Sequence, residues 1–301
     1  MCGIVGLLLK NRSQYARLGE YMAPMFACMA ERGPDSAGVA VFADPAPDGR
    51  RRYSLFVGEA GYDWQALLAR FQAAFPAEQT SAKLESRANH AELMTAIPPP
   101  EVRSWLAECE PSPRVLAVGR SVELYKDMGR PVEISQRYGF AQMVGSHCIG
   151  HTRMATESDV TPAHAHPYSA GEDFCLVHNG SLSNPYMLRR MLERRGVEFE
   201  TDNDTEAACR FLEWRMRLGE TLEQALAQAF KQLDGFYTLL IATPDRLTLV
   251  RDAFACKPAV VAETADYVAI SSEFRSLAHL PGIAEANIFE PRPEEIYSWK
   301  P

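Results

Sequence analysis

The second residue of this chain constrains it more than any other. Cys2 directly follows the initiator methionine, and cysteine is small enough that we expect the methionine to be removed. The α-amino group left on Cys2 would titrate near physiological pH and could take the proton of the Cys2 thiol. Nucleophile and base would then belong to one residue. The next segment, Gly3–Gly6, is typical of an apolar strand whose backbone closely approaches a ligand. The alternative is a cysteine that is buried and only packs.

Composition limits the class of protein. With 301 residues, 47% of them hydrophobic and 23% charged, the chain can bury a large core as one large domain or two small ones. The net charge of −8 argues against a nucleic-acid-binding surface. No apolar run approaches the roughly 20 residues of a transmembrane helix, and the first residues do not resemble a signal peptide. Seven dispersed cysteines without CxxC spacing are typical of reduced thiols. We therefore expect a cytoplasmic protein without a membrane partner.

Hydrophobic periodicity predicts strands at both ends of the chain, with helices between them. Strands are predicted over Cys2–Leu9, Gly38–Phe42, Tyr53–Gly58, Val115–Gly119, His147–Arg153, Phe174–His178, Tyr237–Thr243, Arg246–Arg251, Ala259–Glu263 and Tyr267–Ser271. Helices are predicted over Leu18–Met29 and Trp64–Phe75, from Asn184-Pro185, from Asp204-Thr205 toward Gly219, and from the capping box Thr221-x-x-Gln224. Between residues 43 and 146 the pattern is less regular, and we expect Pro98–Pro100 and Pro111–Pro113 to interrupt it. Without a steady βαβ alternation, the order favours an α+β fold of antiparallel sheets covered by helices.

Five polar motifs follow Cys2 in the sequence. They are Arg32-Gly33-Pro34-Asp35-Ser36-Ala37-Gly38, Gly150-His151-Thr152-Arg153-Met154-Ala155-Thr156, His164-Ala165-His166-Pro167-Tyr168, Val177-His178-Asn179-Gly180 and Thr201-Asp202-Asn203-Asp204-Thr205-Glu206. In this order they resemble the class II glutamine amidotransferases, the branch of the Ntn hydrolases with an N-terminal cysteine. The resemblance extends from Cys2 to Ser271-Ser272-Glu273. It implies a four-layer αββα sandwich, with residues 1–301 forming a single type 2 amidotransferase domain that carries an insertion at about 43–146.

The resemblance also implies a chemical role for the motifs. Cys2 would attack the side-chain amide of L-glutamine, and its amine would return the proton to the leaving ammonia. The Asn179 side chain and the Gly180 backbone N–H would form the oxyanion hole. Arg153 would bind the α-carboxylate bidentately, and Asp204 would hold the α-ammonium group.

Four more residues would border this pocket. Arg32 would do so through backbone contacts or packing, with Gly33 beside it, and Thr156 and His166 would line the side of the substrate head group. Many members of the family carry an aromatic residue where this chain has Met154, which leaves the closure of the pocket undetermined.

Structural alternatives remain for several of these residues. Asn-Gly by itself is typical of a tight turn, and Arg153 could form a structural ion pair at a strand end. Asp204 could merely cap the following helix, which would leave Asp202 or Asn203 to hold the amine.

The His164-x-His166 pair raises the alternative of a metal site, because alternate strand residues face one way. The neighbouring sequence offers no obvious third ligand, and the family uses no metal. We therefore expect structural histidines and no metal.

The chain ends at Pro301, where the implied domain would be complete, whereas better-known members continue into an acceptor domain. We therefore expect a cytoplasmic glutaminase subunit without its own cofactor, which supplies ammonia to a separate synthase subunit in a hetero-oligomer. The chain looks most like the glutamate-synthase-related subunits, such as the amidotransferase subunit of N-methylglutamate synthase. This implies FMN, with or without an iron–sulfur cluster, in the partner. The 43–146 insertion is a candidate docking surface, or equally a cap on the sheet or a contact between copies.

Two other classes of function stay open. The chain could be an Ntn amidohydrolase that acts on a bile-salt or acyl-homoserine amide, or a catalytically silent regulatory subunit in which Cys2 only packs. Arg153 and Asp204 argue against the first class, because together they match a zwitterionic amino-acid head group.

Overall fold

The computed structural model describes residues 2–59, 61–154 and 160–301. Its strands, in chain order, are β1 Gly3–Leu9, β2 Ser36–Phe42, β3 Arg51–Phe56, β4 Lys83–Arg87, β5 His90–Thr95, β6 Arg114–Gly119, β7 Val122–Met128, β8 His147–Arg153, β9 Tyr168–Ser169, β10 Cys175–Leu182, β11 Gly235–Thr243, β12 Arg246–Arg251, β13 Val260–Glu263, β14 Tyr267–Ser271, β15 Asn287–Phe289 and β16 Tyr297–Trp299. Its α-helices are α1 Leu18–Cys28, α2 Trp64–Ala74, α3 Pro99–Cys109, α4 Pro131–Arg137, α5 Pro185–Glu193, α6 Asp204–Arg217 and α7 Leu222–Gln232. None of these described helices is long and apolar enough to cross a membrane.

Two antiparallel sheets stack face to face in the centre. The first has seven strands in the order β15-β13-β14-β1-β8-β2-β7, and the second has five in the order β16-β12-β11-β10-β9. Helices α1 and α4 cover the outer face of the seven-stranded sheet. Helices α5, α6 and α7 cover the outer face of the five-stranded sheet. The molecule is therefore the α+β sandwich that the sequence predicted, with helices outside two antiparallel sheets.

Strand β1 illustrates how the sequence specifies this stacking. Ile4 and Leu8 point into the core between the two sheets, whereas Val5 and Leu7 pack against α1. Successive side chains of a strand face opposite sides, so a strand that is apolar at every position is buried on both faces. A slip of one residue in its pairing would exchange the two sets of side chains.

A third sheet lies in the less regular part of the sequence. Its four strands have the order β4-β5-β3-β6, and they form a separate core with α2 and α3 around Leu67, Phe71 and Trp105. The range of 43–146 that was predicted as an insertion contains this sheet. It also contains β7, which pairs with β2 along its full length in the seven-stranded sheet. The separate sheet thus occupies residues 51–119, and the chain rejoins the sandwich at Val122.

The structure confirms the predicted strands at both ends of the chain and the capping box at Thr221. The predicted helix starts are also confirmed, with Asn184 and Asn203 as the N-cap residues. The interpretation of Pro98–Pro100 as an interruption was wrong. Pro99 is the first residue of α3, where a missing backbone N–H costs no hydrogen bond. Strands β4, β5, β7, β9, β15 and β16 and helices α3 and α4 were not predicted.

The start of α1 tests the packing of the outer helical layer. A Cβ on Gly19 would lie less than 3.0 Å from the Phe140 carbonyl oxygen and the Met143 nitrogen. Alanine is intrinsically better than glycine in a helix by about 1 kcal/mol, but here the backbone contact should dominate. We expect Gly19→Ala to lower the free energy of unfolding by about 1–3 kcal/mol in urea titrations.

Gly58→Ala is the matched control, because a Cβ there would meet no atom within 4 Å among the described residues. Its free energy of unfolding should stay within about 0.5 kcal/mol of the parent value. If Gly19→Ala is as stable as the parent protein, the contact between α1 and the 140–143 turn does not constrain the helix.

Candidate active site

The candidate site forms where three strands end at one edge of the sandwich. Gly3 of β1 is paired with Thr152 of β8, so Cys2 and Arg153 follow on the two strands one position further out. Because side chains alternate along a strand, the Cys2 side chain lies on the same face of the sheet as Ile4, and the Arg153 side chain on the same face as Ile149. Ile4 and Ile149 both face the space between the two sheets. The register of two neighbouring strands therefore brings a thiol and a guanidinium to the same end of the inter-sheet space.

Cys2 is half-buried and is held through its backbone. Its carbonyl oxygen accepts hydrogen bonds from Arg32 Nε at 3.0 Å and from Asn179 Nδ2 at 3.3 Å. Its thiol lies 3.7 Å from the carbonyl oxygen of Met154. Donors from the loop before β2 and from β10 thus fix the position of this residue across the gap between the two sheets.

Arg32 contacts the site in a different way from the one predicted. Backbone contacts or packing were expected, but the side chain makes the contacts: Nε bonds Cys2, and Nη1 forms an ion pair with Glu273 Oε1 at 2.6 Å. Gly33, which was predicted to border the pocket, lies against the end of β8. A Cβ on Gly33 would lie less than 3.0 Å from the Thr152 carbonyl and the Arg153 nitrogen, so the loop can approach the end of β8 only with glycine there.

Asn179 and Gly180 lie within β10 and do not form the tight turn that was the alternative. They pair with Thr238 and Tyr237 of β11. Gly180 has a φ of 149°, and a Cβ there would overlap the carbonyl oxygen of Phe236. Glycine is therefore required at this position, and it brings the backbone of β10 to the wall of the site.

The start of α6 supplies carboxylates to the same site. Asn203 caps the helix by accepting from the Thr205 N–H at 2.9 Å, so capping does not account for the Asp204 side chain. Asp204 Oδ2 accepts from the Leu182 N–H at 2.9 Å, which ties α6 to β10. Asp202 is more exposed, and its Oδ1 bonds His164 Nε2 at 2.8 Å. This hydrogen bond lowers the pKa of the Asp202 carboxyl.

These residues line one cavity of about 310 Å³. The predicted site residues on its wall are Cys2, Arg153, His166, Gly180 and Asp204, and Asp202 also contributes. Asn179 reaches Cys2 from the adjacent position in β10. The predicted residue Thr156 lies outside the described residues. The cavity therefore combines a thiol, a cation and a carboxylate, which can bind a small zwitterion beside a nucleophile.

A cluster of buried histidines lies behind this wall, and sequence reasoning assigned no role to two of them. His166 Nε2 lies 2.7 Å and His178 Nδ1 lies 3.0 Å from the hydroxyl of Thr205. His166 Nδ1 in turn lies 3.1 Å from His151 Nδ1. The three histidines are 12 to 27 residues apart and lie on separate segments, so no local spacing indicates that they touch.

Hydrogen-bond counting favours one assignment of the protons in this cluster. When Thr205 donates its one hydroxyl hydrogen to Asp204 Oδ1, 3.3 Å away, the imidazoles of His166 and His178 both donate to the hydroxyl oxygen. His166 Nδ1 then accepts from His151. Nε2 of His178 is buried and has no hydrogen-bond partner among the described residues. Burial lowers the pKa of all three histidines, which keeps them neutral.

His164 and His166 engage different partners, although alternation made a shared ligand possible. His164 bonds Thr161 Oγ1 and Asp202, while His166 bonds His151 and Thr205. Within the described residues, no group of three or more His, Cys, Asp or Glu side chains is arranged to hold a metal ion.

Comparison with known proteins agrees with this architecture. Residues 151–279 match a family described as a glutamine amidotransferase domain. The chain is 45% identical to the glutamine amidotransferase-like protein GlxB of Rhizobium meliloti, over 99% of this chain and 98% of that protein. It is 35% identical to a glutamine–fructose-6-phosphate aminotransferase (isomerizing) of Vibrio vulnificus, over 41% of this chain and 21% of that protein.

A solved structure of similar fold is the glutamine phosphoribosylpyrophosphate amidotransferase of B. subtilis. It superposes with a TM-score of 0.60 at 17% identity, over 99% of this chain and 49% of that one. The two chains therefore share the fold of the sandwich. The chain belongs to the class II glutamine amidotransferase family, as its motifs predicted.

The histidine cluster can be tested by removing its central hydroxyl. Thr205→Val keeps the shape of the side chain but leaves the N–H groups of His166 and His178 without an acceptor. Each buried donor left unsatisfied costs about 1–3 kcal/mol, so we expect the free energy of unfolding to fall by at least that amount. Thr205→Ser, which restores the hydroxyl, should recover most of the loss in the same denaturant titrations.

Thr248→Val is the matched control. Thr248 is 1% exposed and bonds Ser298 Oγ at 3.0 Å, but Ser298 is exposed and can bond water instead. If Thr205→Val and Thr248→Val lower the free energy of unfolding by equal amounts, the proposed hydrogen-bond network is contradicted.

Proposed function

We propose that this protein hydrolyses the side-chain amide of L-glutamine to L-glutamate and ammonia, with Cys2 as the nucleophile. The observation that carries the proposal is the single cavity lined by Cys2, Arg153 and Asp204. A thiol alone would be compatible with many amide substrates. A guanidinium and a carboxylate beside it select a substrate with both a carboxylate and an ammonium group.

Arg153 and Asp204 are proposed to hold the amino-acid head. Arg153 is 5% exposed at the end of β8, and its fork matches the α-carboxylate. Asp204 projects from the start of α6 with a side chain that is 22% exposed, and it would bind the α-ammonium group. Asp202 is a weaker candidate, because its carboxylate already bonds His164.

The reaction would use groups on both sheets. After removal of Met1, the α-amine of Cys2 takes the thiol proton, and the thiolate attacks the amide carbon. The oxyanion would be stabilised by the second N–H of the Asn179 amide and the backbone N–H of Gly180. Collapse of the tetrahedral intermediate transfers the proton to the leaving ammonia and forms a thioester, which water hydrolyses to glutamate.

The remaining predicted residues would shape the pocket. Arg32 and Glu273 form an ion pair that holds the Cys2 carbonyl in place, and Gly33 allows the loop before β2 to approach Arg153. His166 positions Thr205 and, through it, Asp204. Thr156 is proposed to contact the head group, as the family pattern implies.

The nucleophile can be identified by selective labelling. We expect a diazoketone analogue of glutamine to modify Cys2 alone, and Cys2→Ala to abolish hydrolysis with the fold intact. Three other cysteines are buried in the core, and burial raises the pKa of Cys148 and Cys175 to about 12 and that of Cys209 as well. Peptide mapping by mass spectrometry measures the site of modification.

Cys109 and Cys256 are exposed and serve as internal controls for general thiol reactivity. Retention of Met1 in the intact mass, or full activity with an N-terminal extension that cannot be cleaved, would exclude the amine as the base. An adduct on Cys28 or Cys148 would move the nucleophile elsewhere.

Head-group recognition predicts a difference between two neighbouring carboxylates. Asp204→Asn keeps an acceptor for the Leu182 N–H but removes the charge that the ammonium group needs. A charge-assisted contact is worth about 1.5–3 kcal/mol, so KM for glutamine should rise about ten- to a hundredfold. Asp202→Asn is the matched control and should change KM little. Steady-state glutamine hydrolysis measures both, and the reverse result would assign the amine to Asp202.

Arg153→Ala should raise KM for glutamine as Asp204→Asn does, because each substitution removes a contact with the amino-acid head group. Asn179→Ala should lower kcat more than it raises KM, since its donor matters most when the oxyanion forms. If Asn179→Ala changes only KM, the Asn179 side chain is not part of the oxyanion hole.

We also propose that the ammonia passes to a separate synthase subunit. Ammonia is mostly protonated at neutral pH and diffuses away, so docking of the acceptor near the site is an advantage. Two exposed rings lie beside the cavity: Phe236 and Phe254 are 46% and 71% exposed with ring centroids 5.5 Å apart. Phe236 pairs with Ser181, which lines the cavity. Exposed aromatic pairs are typical of protein interfaces.

The proposed acceptor is a synthase related to glutamate synthase, such as N-methylglutamate synthase. It would hold FMN, with or without an iron–sulfur cluster, while this chain would hold no cofactor. Support comes from the resemblance of the motifs to those of the glutamate-synthase-related subunits.

If the synthase subunit docks on Phe236 and Phe254, replacing these two side chains should abolish its binding. The C-terminally tagged chain, purified from its source cells, should retain a flavoprotein that stimulates glutamine hydrolysis. Phe236→Ser combined with Phe254→Ser should abolish both retention and stimulation, whereas Leu218→Ser, an equally exposed side chain at the far end of α6, should not. Full activity of the isolated chain, with no stimulation by any co-purifying subunit, would refute the docked-subunit model.

A further inference from the structure

A second cavity, of about 550 Å³, lies between the separate four-stranded sheet and the sandwich. Its walls come from β6, β9, the 161–164 segment and the start of α6. The residues that line it and those that line the candidate active site do not overlap. Its volume is within the range of about 300–1,000 Å³ that is usual for small-molecule sites.

One wall of this cavity is apolar. Phe56 and Ala117 are 6% and 3% exposed, and Val115, Pro162 and Ala170 continue the same surface. Such a wall favours the apolar body of a ligand over a fully hydrated ion.

Two arginines of the cavity lie outside its ion pairs. Arg210 pairs with Glu206 at 3.0 Å and Glu200 at 3.5 Å, so these three residues neutralise one another in part. Arg103 and Arg114 also line the cavity, and neither has an ion-pair partner among the residues that the structure describes. The lining carries four cationic side chains, those of Arg103, Arg114, Arg210 and Lys126, against the three carboxylates of Glu59, Glu200 and Glu206.

Lys126 adds positive charge behind the 161–165 segment. Its ammonium group donates to the carbonyl oxygens of Ala163 at 3.2 Å and Ala165 at 2.8 Å, and it lies 4.7 Å from the centre of the Tyr168 ring. Burial lowers the pKa of Lys126 to about 8, which leaves it mostly protonated at neutral pH. Because these contacts occupy its hydrogens, Lys126 contributes a field and is not expected to bond a ligand directly.

We infer that this cavity is a second binding site, which takes a small organic anion. The apolar body would lie against Phe56 and Ala117, and the anionic group would face Arg103 and Arg114. The site is distinct from the proposed glutamine pocket, although Glu206 on its wall is only two residues from Asp204 in that pocket. The inference extends beyond glutamine hydrolysis and does not depend on it.

Binding can be measured with a matched pair of fluorescent probes on the full chain. Anilinonaphthalene sulfonate has an aromatic body and one anionic group, and N-phenylnaphthylamine has a similar body without the charge. We expect saturable binding of the sulfonate at one site, displaced by phenyl phosphate and by benzoate but not by L-glutamine. Exchanging both arginines, in Arg103→Glu combined with Arg114→Glu, should weaken sulfonate binding at least about tenfold. The affinity for the neutral probe should not change.

Arg130→Glu is the control, since Arg130 is exposed, lies outside the cavity and has no ion pair within the described residues. Ser112→Trp, at the exposed rim, should block both probes and provides a second test if the charge-reversed protein does not fold. Displacement of the sulfonate by glutamine would place the probe in the other pocket and overturn the inference. Absence of saturable binding, or binding that neither the arginine exchange nor Ser112→Trp weakens, would also overturn it.

Discussion

The antiparallel pairing of β1 with β8 is the constraint on which the rest of the site depends. Gly3 opposite Thr152 sets the positions of Cys2 and Arg153 at the edge of the sandwich. The same pairing is specified by the core, because Ile4 and Leu8 must face the second sheet. A shift of the pairing by one residue would turn the thiol and the guanidinium toward α1. It would also move the apolar side chains of the strand to the opposite face of the sheet. The packing that stabilises the fold therefore also fixes the geometry of the site.

The start of α6 is the second element that holds the site together. Asp204 bonds the backbone of β10, and Thr205 collects hydrogen bonds from His166 and His178. In a buried environment such bonds are strong when complete and costly when one partner is missing. Neutral histidines suit this position, because they orient the Thr205 side chain through hydrogen bonds without placing a further charge beside Arg153 and Asp204. The carboxylate is thus positioned by a network whose loss would destabilise the whole domain.

The separate sheet of residues 51–119 stands apart from this arrangement. It has its own apolar core, and none of its described residues lines the cavity around Cys2. It does form a wall of the second cavity, together with the 161–164 segment and α6. One cavity thus lies at the edge of the sandwich and the other between the sandwich and the separate sheet. Their linings share no residue.

The sequence by itself determined the elements and their order. Each of these sequence signals spans only a few residues. They are the strand alternation, the caps at Asn184 and Thr221 and the motif around Cys2. Only the tertiary structure decided that Asn179-Gly180 lies in a strand, that the Arg32 side chain reaches Cys2 and that three distant histidines meet at Thr205. Arg32 is 30 residues from Cys2, and His166 and His178 are 39 and 27 residues from Thr205, so no short pattern encodes these contacts. They follow from strand register and sheet stacking, which are settled only when the whole core packs.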